Sequence, residues 1–236
     1  GGFASRQIVG DFADYSEVLG RRLGDRVKKW ITLNEPWVYS VLGNLLGVHA
    51  PGRKNPWAAF KTVHHSLLAH AAAVERLRDV VGSGADNDSG VEIGITLNLF
   101  PIFPKTESKK DRQAADMADQ FVNRLFLDPL LKGEYPEELW RKLRLFTPSV
   151  SEEDMQRITV PVDFIGINNY TRQHAEYRRM IPFAHFYLSG LEVPEAEFVK
   201  KGVQYTSMGW EVYPQGLYQL LTRMRDEYGN PPVYIT

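Results

Sequence analysis

The segment at residues 30–37 (WITLNEPW) constrains the fold more than any other stretch of the chain. It begins with apolar and β-branched residues, which suit a buried strand. Because Pro36 cannot donate a hydrogen bond to a sheet ladder, the strand must end at about Glu35. Asn34 and Glu35 are therefore predicted to lie at the carboxyl-terminal tip of a strand, where parallel α/β proteins keep their chemistry. The segment alone leaves a simpler interpretation open, in which Glu35 only caps the next helix.

The composition is that of an ordinary globular protein. The chain has 236 residues, of which 43% are hydrophobic and 24% charged, and a formal net charge of -1. This length suits one large domain, so we expect a single domain over residues 1–236. The near-neutral charge argues against nucleic acid or a membrane surface as a partner, and no apolar run approaches the roughly 18 residues of a membrane span.

The chain contains no cysteine. Disulfides, thiol nucleophiles and thiolate metal ligands are therefore excluded. The first residues lack a basic segment followed by an apolar core, so they do not have the pattern of a signal peptide. Together these features predict a cytoplasmic protein.

Predicted strands alternate with predicted helices along the chain. Apolar periodicity predicts helices over 8–23, over 57–81, from Asp111 to Phe126 and after Pro214, and Ser151 resembles the cap of a short helix. Further strands are predicted at 91–99, 160–167 and 233–236, a flexible polar turn at 82–90 and a long loop at 172–206. This alternation predicts right-handed βαβ units and a parallel sheet.

Five motifs together resemble one family. They are TLNEPW at 32–37, GNLLGVHAPG at 43–52, DFIGINNYT at 163–171, MGWEVYPQGLY at 208–218 and PVYIT at 232–236. In wording, order and spacing they resemble the family 1 glycoside hydrolases, the β-glucosidases and their relatives. The resemblance implies an α/β fold, a partial (β/α)8 TIM barrel that begins after the third strand and runs from the fourth to the seventh.

The resemblance also implies a retaining glycosidase site. Such enzymes use two carboxyl groups about 5 Å apart, one as the acid/base and one as the nucleophile. By resemblance Glu35 is the acid/base, Asn34 binds the sugar 2-hydroxyl and Trp37 lines the leaving-group side. The family's nucleophile is the Glu of an Ile-Thr-Glu-Asn-Gly motif, which would directly follow Thr236 and is not in this chain. No cofactor or metal is expected.

Further site residues follow from the same resemblance. Asn168 and Tyr170 would lie close to the nucleophile, and Trp210 would help to shape the entrance, because indole and phenol rings stack on the C–H faces of sugars. For Tyr170 and Trp210 plain core packing is the alternative interpretation. Asn98 ends a predicted strand as Asn34 does, and we expect it near the leaving-group site.

Other candidate residues are weaker. His64, His65 and His70 share one predicted helix but lack the i, i+4 spacing of a metal pair, so we interpret them as packing or surface histidines. His49 lies in a loop that its side chain could shape through a hydrogen bond. The charged residues at 109–112 are interpreted as a solvated helix start.

These observations leave three functions open. The first is a β-glucosidase-type retaining hydrolase acting on a β-glucoside or related oligosaccharide, in which the isolated chain is incomplete and needs a complementing segment. The second is a non-catalytic sugar-binding or interaction module derived from the barrel. The third is a fragment that persists only by association. Because an open parallel sheet leaves two unpaired edges, we expect self-association or pairing with a complementary barrel segment.

Overall fold

The computed structural model describes residues 2–82, 90–190 and 203–236. The predicted polar turn at 82–90 lies outside the described residues except at its two ends. Residues 191–202 of the predicted long loop also lie outside the described residues. No helix among the described residues is long and apolar enough to cross a membrane.

Strands and helices alternate through the described residues. The strands are β1 (Lys29–Asn34), β2 (Glu92–Asn98), β3 (Ile102–Pro104), β4 (Phe164–Asn168), β5 (Gln173–Tyr177), β6 (Phe186–Ser189) and β7 (Val233–Ile235). The helices are α1 (Ile8–Leu23), α2 (Pro56–Val81), α3 (Lys109–Asp119), α4 (Leu125–Lys132), α5 (Glu137–Lys142), α6 (Glu152–Ile158) and α7 (Gln215–Glu227). A short 3-10 turn spans Gly2–Ala4, and two π-helical segments span Val38–Leu45 and Gln120–Arg124.

Most of the predicted elements are confirmed. Helices α1, α2 and α7 and strands β1, β2 and β7 lie where the patterns placed them. The hydroxyl of Ser151 accepts a hydrogen bond from the Asp154 N–H at 3.1 Å, so the predicted cap is present. The predicted helix from Asp111 to Phe126 is instead α3 and α4 joined by a π-helical segment, and α5 was not predicted.

A four-stranded parallel sheet carries the strand tips of interest. Its strand order is β1-β2-β4-β7, and a helix separates each pair of neighbouring strands along the chain. The register places Asn34 opposite Thr96 and Asn98 opposite Asn168. The polar residues that end successive strands therefore meet at one edge of the sheet.

Helices cover the outer face of this sheet. The buried residues there are apolar and form the largest core cluster, which includes Leu67, Ile95, Leu97, Phe126, Ile165 and Ile167. Side chains alternate between faces along a strand, so residues such as Thr96 and Asn98 face the opposite side. The packing of the outer face thus sets the register that aligns the polar tips.

A second, three-stranded sheet corrects the predicted loop at 172–206. Strand β3 pairs in parallel with β5, and β5 pairs with β6 in an antiparallel hairpin. These strands pack on α3 through a small cluster of alanines, Ala114, Ala115, Ala118 and Ala175. Because the strands are short and only half-buried, they show no clear alternation in the sequence.

The three helix-borne histidines are buried, which confirms the packing interpretation. His64 Nε2 lies 3.1 Å from a carboxylate oxygen of Asp154, and His70 Nδ1 lies 2.6 Å from the hydroxyl of Thr32. Burial lowers the pKa of His64 and of His65, and it lowers the pKa of His70 to about 3. All three rings therefore favour the neutral form in the folded chain.

The charged start of α3 is only partly solvated, contrary to the prediction. Asp111 is buried, and its carboxylate accepts hydrogen bonds from the Thr106 hydroxyl and, at 2.8 Å, from the Tyr177 N–H. The Thr106 hydrogen bond, aided by that from Tyr177, lowers the pKa of Asp111. Asp111 therefore joins α3 to the second sheet as an anion.

Candidate active site

Glu35 lies directly beyond β1 in an unusual backbone conformation. Its φ is +47°, in the left-handed region that non-glycine residues rarely adopt. Its N–H still donates to the Thr96 carbonyl at 2.9 Å, so the residue remains attached to β2. Backbone strain of this kind, held by the surrounding structure, is common at functional sites. The turn follows from Pro36, which begins the next helical segment.

Asn168 joins the tips of three strands. Its Nδ2 donates to Glu35 Oε1 at 2.7 Å and lies 3.2 Å from Asn34 Oδ1. Its Oδ1 accepts a hydrogen bond from the Thr236 hydroxyl at 2.5 Å. Asn168 is only 6% exposed, so this amide holds a fixed position. The partner of the Glu35 carboxylate is thus a side chain two strands away, which goes against the interpretation of Glu35 as a simple helix cap.

Asn98 ends β2 beside this cluster. It is opposite Asn168 in the sheet register and is 5% exposed. Its Oδ1 has no hydrogen-bond partner among the described residues. Buried amide oxygens in proteins usually have a partner, so this unpaired acceptor beside the strand tips is a candidate polar contact of the site.

Tyr170 and Trp210 come together although 40 positions separate them in the chain. Their ring centroids are 5.3 Å apart at an interplanar angle of 44°. Tyr170 is 47% exposed and Trp210 is half-buried. The core-packing interpretation of Tyr170 is therefore wrong. The Arg172 guanidinium donates to both carboxylate oxygens of Glu211, at 2.8 and 2.9 Å, and this pair fastens the loop that carries Trp210.

Trp37 is more deeply buried than a stacking platform would be. It is 8% exposed, and its Nε1–H donates to the Phe121 carbonyl at 3.0 Å. Its ring also meets the Phe121 ring edge-on, with the centroids 6.2 Å apart. Trp37 therefore anchors the turn after Glu35, and only a small part of its indole is open to a ligand.

His49 does not join the cluster through its side chain. It is exposed, and its backbone N–H donates to the Leu42 carbonyl at 3.2 Å. The expected loop-shaping hydrogen bond is therefore made by the main chain.

Two amide side chains that support the strand tips were missed. Asn123 donates to the Phe100 carbonyl at 2.8 Å and accepts from the Phe100 N–H at 3.0 Å. Asn169 Nδ2 donates to the Leu99 carbonyl at 2.8 Å. Both fasten the residues that follow β2. Asn169 could have been suspected because it directly follows Asn168 at a strand tip, but no local signal identifies Asn123.

Among the described residues, no group of three His, Cys, Asp or Glu side chains could hold a metal ion. The functional groups at the strand tips are one carboxyl group, several amides and two partly exposed aromatic rings. The parallel α/β sheet carries this cluster at its carboxyl-terminal edge, which is where α/β barrel proteins form their sites.

Comparison with known proteins gives the family. The sequence matches the family described as glycosyl hydrolase family 1 over residues 1–236. The chain belongs to glycosyl hydrolase family 1, and its fold is a partial (β/α)8 barrel.

Its relatives include named enzymes. The chain is 41% identical to 1,4-beta-D-glucan glucohydrolase of Thermotoga neapolitana over 237 residues, which covers all of this chain and 52% of that protein. It is 40% identical to Beta-glucosidase A of Thermotoga maritima, covering all of this chain and 49% of the relative. The chain thus spans about half the length of the curated relatives it matches.

Solved structures give the same result. The family 1 b-glucosidase from Thermotoga maritima superposes with a TM-score of 0.86 at 40% identity and covers all of this chain and 49% of that one. The same enzyme in complex with deoxynojirimycin matches with a TM-score of 0.86 at 39% identity, again over all of this chain and 49% of that one.

Proposed function

We propose that this chain carries the acid/base half of the active site of a retaining β-glucosidase. One observation carries the proposal: Asn168 holds the Glu35 carboxylate at 2.7 Å with Asn34 beside it, at the carboxyl-terminal tips of a parallel sheet. The names of the family 1 relatives support a terminal β-D-glucoside as the substrate class.

In the first step Glu35, as the protonated acid, gives its proton to the glycosidic oxygen as the bond to the anomeric carbon breaks. A second carboxylate attacks that carbon and forms a glycosyl ester. In the second step Glu35, now ionised, takes a proton from water, and the resulting hydroxide displaces the ester. Asn34 would hydrogen-bond the sugar 2-hydroxyl, a contact that strengthens as positive charge develops on the ring.

We assign the second carboxylate to the residue that follows Thr236 in the completed barrel. Support comes from the Thr236 hydroxyl, which donates to Asn168 Oδ1 at 2.5 Å. The next residue of that strand end would therefore lie beside the amide that holds Glu35. Tyr170 would donate a hydrogen bond to this nucleophile, and Trp210 would shape the entrance next to it.

Trp37 would contribute to the leaving-group side through the small part of its ring that remains open. Asn98 would offer its unpaired Oδ1 to a hydroxyl of the leaving group. Neither residue contacts the reacting atoms in this proposal, so their removal should change substrate affinity more than turnover.

We further propose that the outer strands of the sheet pair with a complementing barrel segment, from the rest of a longer polypeptide or from another chain. Ile31 on β1 is 46% exposed and Ile235 on β7 is 54% exposed. These strands are the two edges of the four-stranded sheet. Apolar side chains on open edges favour further strand pairing over exposure to water.

The test is hydrolysis of p-nitrophenyl β-glucoside by a hybrid in which residues 1–236 replace the matching half of Thermotoga maritima Beta-glucosidase A. The wild-type hybrid should turn over the substrate, and Glu35→Gln should lose at least 100-fold in kcat/KM, because general acid catalysis contributes about 10²–10⁴-fold. Glu35→Ala should recover turnover of an activated dinitrophenyl glucoside when azide is added, with β-glucosyl azide as the product.

A correctly folded hybrid that does not hydrolyse the glucoside would contradict the proposal. Saturable glucoside binding without turnover would instead favour the sugar-binding module. In a second experiment, light scattering measures the molar mass of the 236-residue chain alone. This tests whether its edge strands β1 and β7 pair with another copy. A monodisperse monomer would count against that part of the proposal.

A further inference from the structure

A second cleft lies between α3, α5 and the β5–β6 hairpin. Its volume is about 540 Å³, within the range of about 300–1,000 Å³ typical of ligand sites. None of its lining residues belongs to the cluster around Glu35. Its lining includes the charged and amide side chains of Lys109, Arg112, Gln113, Asp116, Glu138 and Lys142.

The charges of this lining nearly balance, which argues against an anionic ligand. Lys142 Nζ lies 3.0 Å from Glu138, and Arg112 lies 3.1 Å from Glu107. An anion would have to compete with these carboxylates for the cations. A ligand whose groups both donate and accept hydrogen bonds can use the cations and the carboxylates together.

His185 adds an unused hydrogen-bonding atom. Its Nδ1 is buried and has no partner among the described residues. Its backbone is held at φ +53°, a conformation that costs free energy for a non-glycine residue. The main chain keeps it there, because the Arg178 N–H donates to the His185 carbonyl at 2.9 Å. His185 lines the cleft, so this unpaired ring nitrogen is a candidate partner for a ligand hydroxyl.

Aromatic contacts hold the hairpin wall of the cleft in place. Phe183, two residues before His185, meets the Phe146 ring edge-on with the centroids 5.1 Å apart. Phe146 in turn meets Trp57 at 5.0 Å. The wall is therefore fastened to α2 and to the residues after α5. Because the cleft is preformed, little conformational entropy of the protein is lost when a ligand binds.

We propose that this cleft is a second binding site for a neutral sugar, a β-glucoside or short β-linked oligosaccharide. Vicinal hydroxyls match the planar guanidinium of Arg112 and the amide of Gln113, which can make paired hydrogen bonds. Asp116 can accept a further hydrogen bond beside the one that its Oδ2 accepts from Gln120 Nε2 at 2.8 Å. Tyr177 supplies carbon surface for the sugar's C–H groups. The lining alone indicates a neutral polyol, and only the choice of a glucoside rests on the proposed function.

The experiment titrates the 236-residue chain with cellobiose and, separately, with sodium phosphate while backbone amide NMR signals are followed. Cellobiose should shift the signals of residues 112–116, Tyr177 and His185 saturably. Gln113→Trp, which fills the cleft from an exposed helix position, should weaken this binding at least tenfold. Gln156→Trp, at an exposed position on α6, is the matched control and should leave the binding unchanged, as should Glu35→Gln.

Arg112→Ala provides a second test that adds no bulk and should weaken binding at least threefold. Equal affinity in Gln113→Trp and the parent chain would overturn the proposal, as would phosphate alone saturating the same signals. Loss of binding in Glu35→Gln would also overturn it, because the sugar would then occupy the first site. Hydrolysis by the hybrid is a separate readout, so failure of one proposal is distinguishable from failure of the other.

Discussion

The role of the Asn168 amide in holding Glu35 can be tested by replacing Asn168 with aspartic acid. The Asn168→Asp substitution keeps the shape of the side chain but replaces the donor that faces Glu35, at 2.7 Å, with an oxygen. At neutral pH two carboxylates would then lie side by side, one on the buried residue 168 and one on the half-buried Glu35. The Asn168→Ala substitution removes the same hydrogen bonds without adding a charge, so the two variants separate the charge effect from the loss of contacts.

The magnitudes follow from the geometry. The alanine variant loses hydrogen bonds whose partners are exposed or half-buried, so water compensates in part and the free energy of unfolding should fall by about 1–2 kcal/mol. In the aspartate variant two like charges about 4 Å apart repel by about 4 kcal/mol at an effective dielectric constant of 20. At pH 7.5 the aspartate variant should therefore be the less stable of the two by about 2 kcal/mol, after relaxation of the site.

The aspartate variant should become more stable, relative to the alanine variant, as the pH falls. In the aspartate variant the folded state binds one more proton than the unfolded state between about pH 7 and 4, because a shared proton relieves the repulsion. Its stability relative to the alanine variant should therefore rise as the pH falls, and the order of the two should reverse near pH 5. The assay is urea unfolding followed by the fluorescence of the five tryptophans.

The control is the double variant Glu35→Gln/Asn168→Asp, in which only one carboxylate remains. Its stability should not show the rise between pH 7.5 and 5, because no second carboxylate is present to share a proton. If the aspartate and alanine variants keep a constant stability difference from pH 7.5 to 5, Asn168 does not hold the Glu35 carboxylate and the reasoning fails.

Three further predictions concern the supporting structure. Burial lowers the pKa of His70 to about 3, so the unfolded state binds more protons below pH 6.5. The free energy of unfolding should fall by up to about 1.4 kcal/mol per pH unit from pH 6 to 4 relative to His70→Asn; parallel urea curves for the two proteins would contradict this. A Cβ at Gly166 would lie 2.2 Å from the Thr96 hydroxyl oxygen, so Gly166→Ala should lower the free energy of unfolding by about 2 kcal/mol, and Thr96→Ala should restore part of it. An unchanged urea midpoint for Gly166→Ala would refute the close approach. Asn123→Ala leaves the N–H and carbonyl of Phe100 unpaired and should cost about 3 kcal/mol in urea unfolding, whereas a loss below about 1 kcal/mol would mean that water replaces the amide.

Local sequence determined where the strands end. The apolar run before Asn34, stopped by Pro36, predicts a strand tip because both β-propensity and the missing proline N–H act within a few residues. The same holds for the tip at Asn168 and for the helix that begins after Pro214. The parallel sheet and the order of its elements were predictable on this basis, whereas the acid role of Glu35 was implied by the resemblance of its motif to family 1.

Only the tertiary structure decided which of these groups touch. The hydrogen bond from Asn168 to Glu35 joins residues 133 positions apart and depends on the sheet register, which the packing of the outer face sets. Other long-range contacts likewise buried Trp37 against Phe121 and paired β3 with β5, where the sequence shows no period. Strand tips are a local property of the chain, whereas contacts between them exist only after the core has aligned the strands.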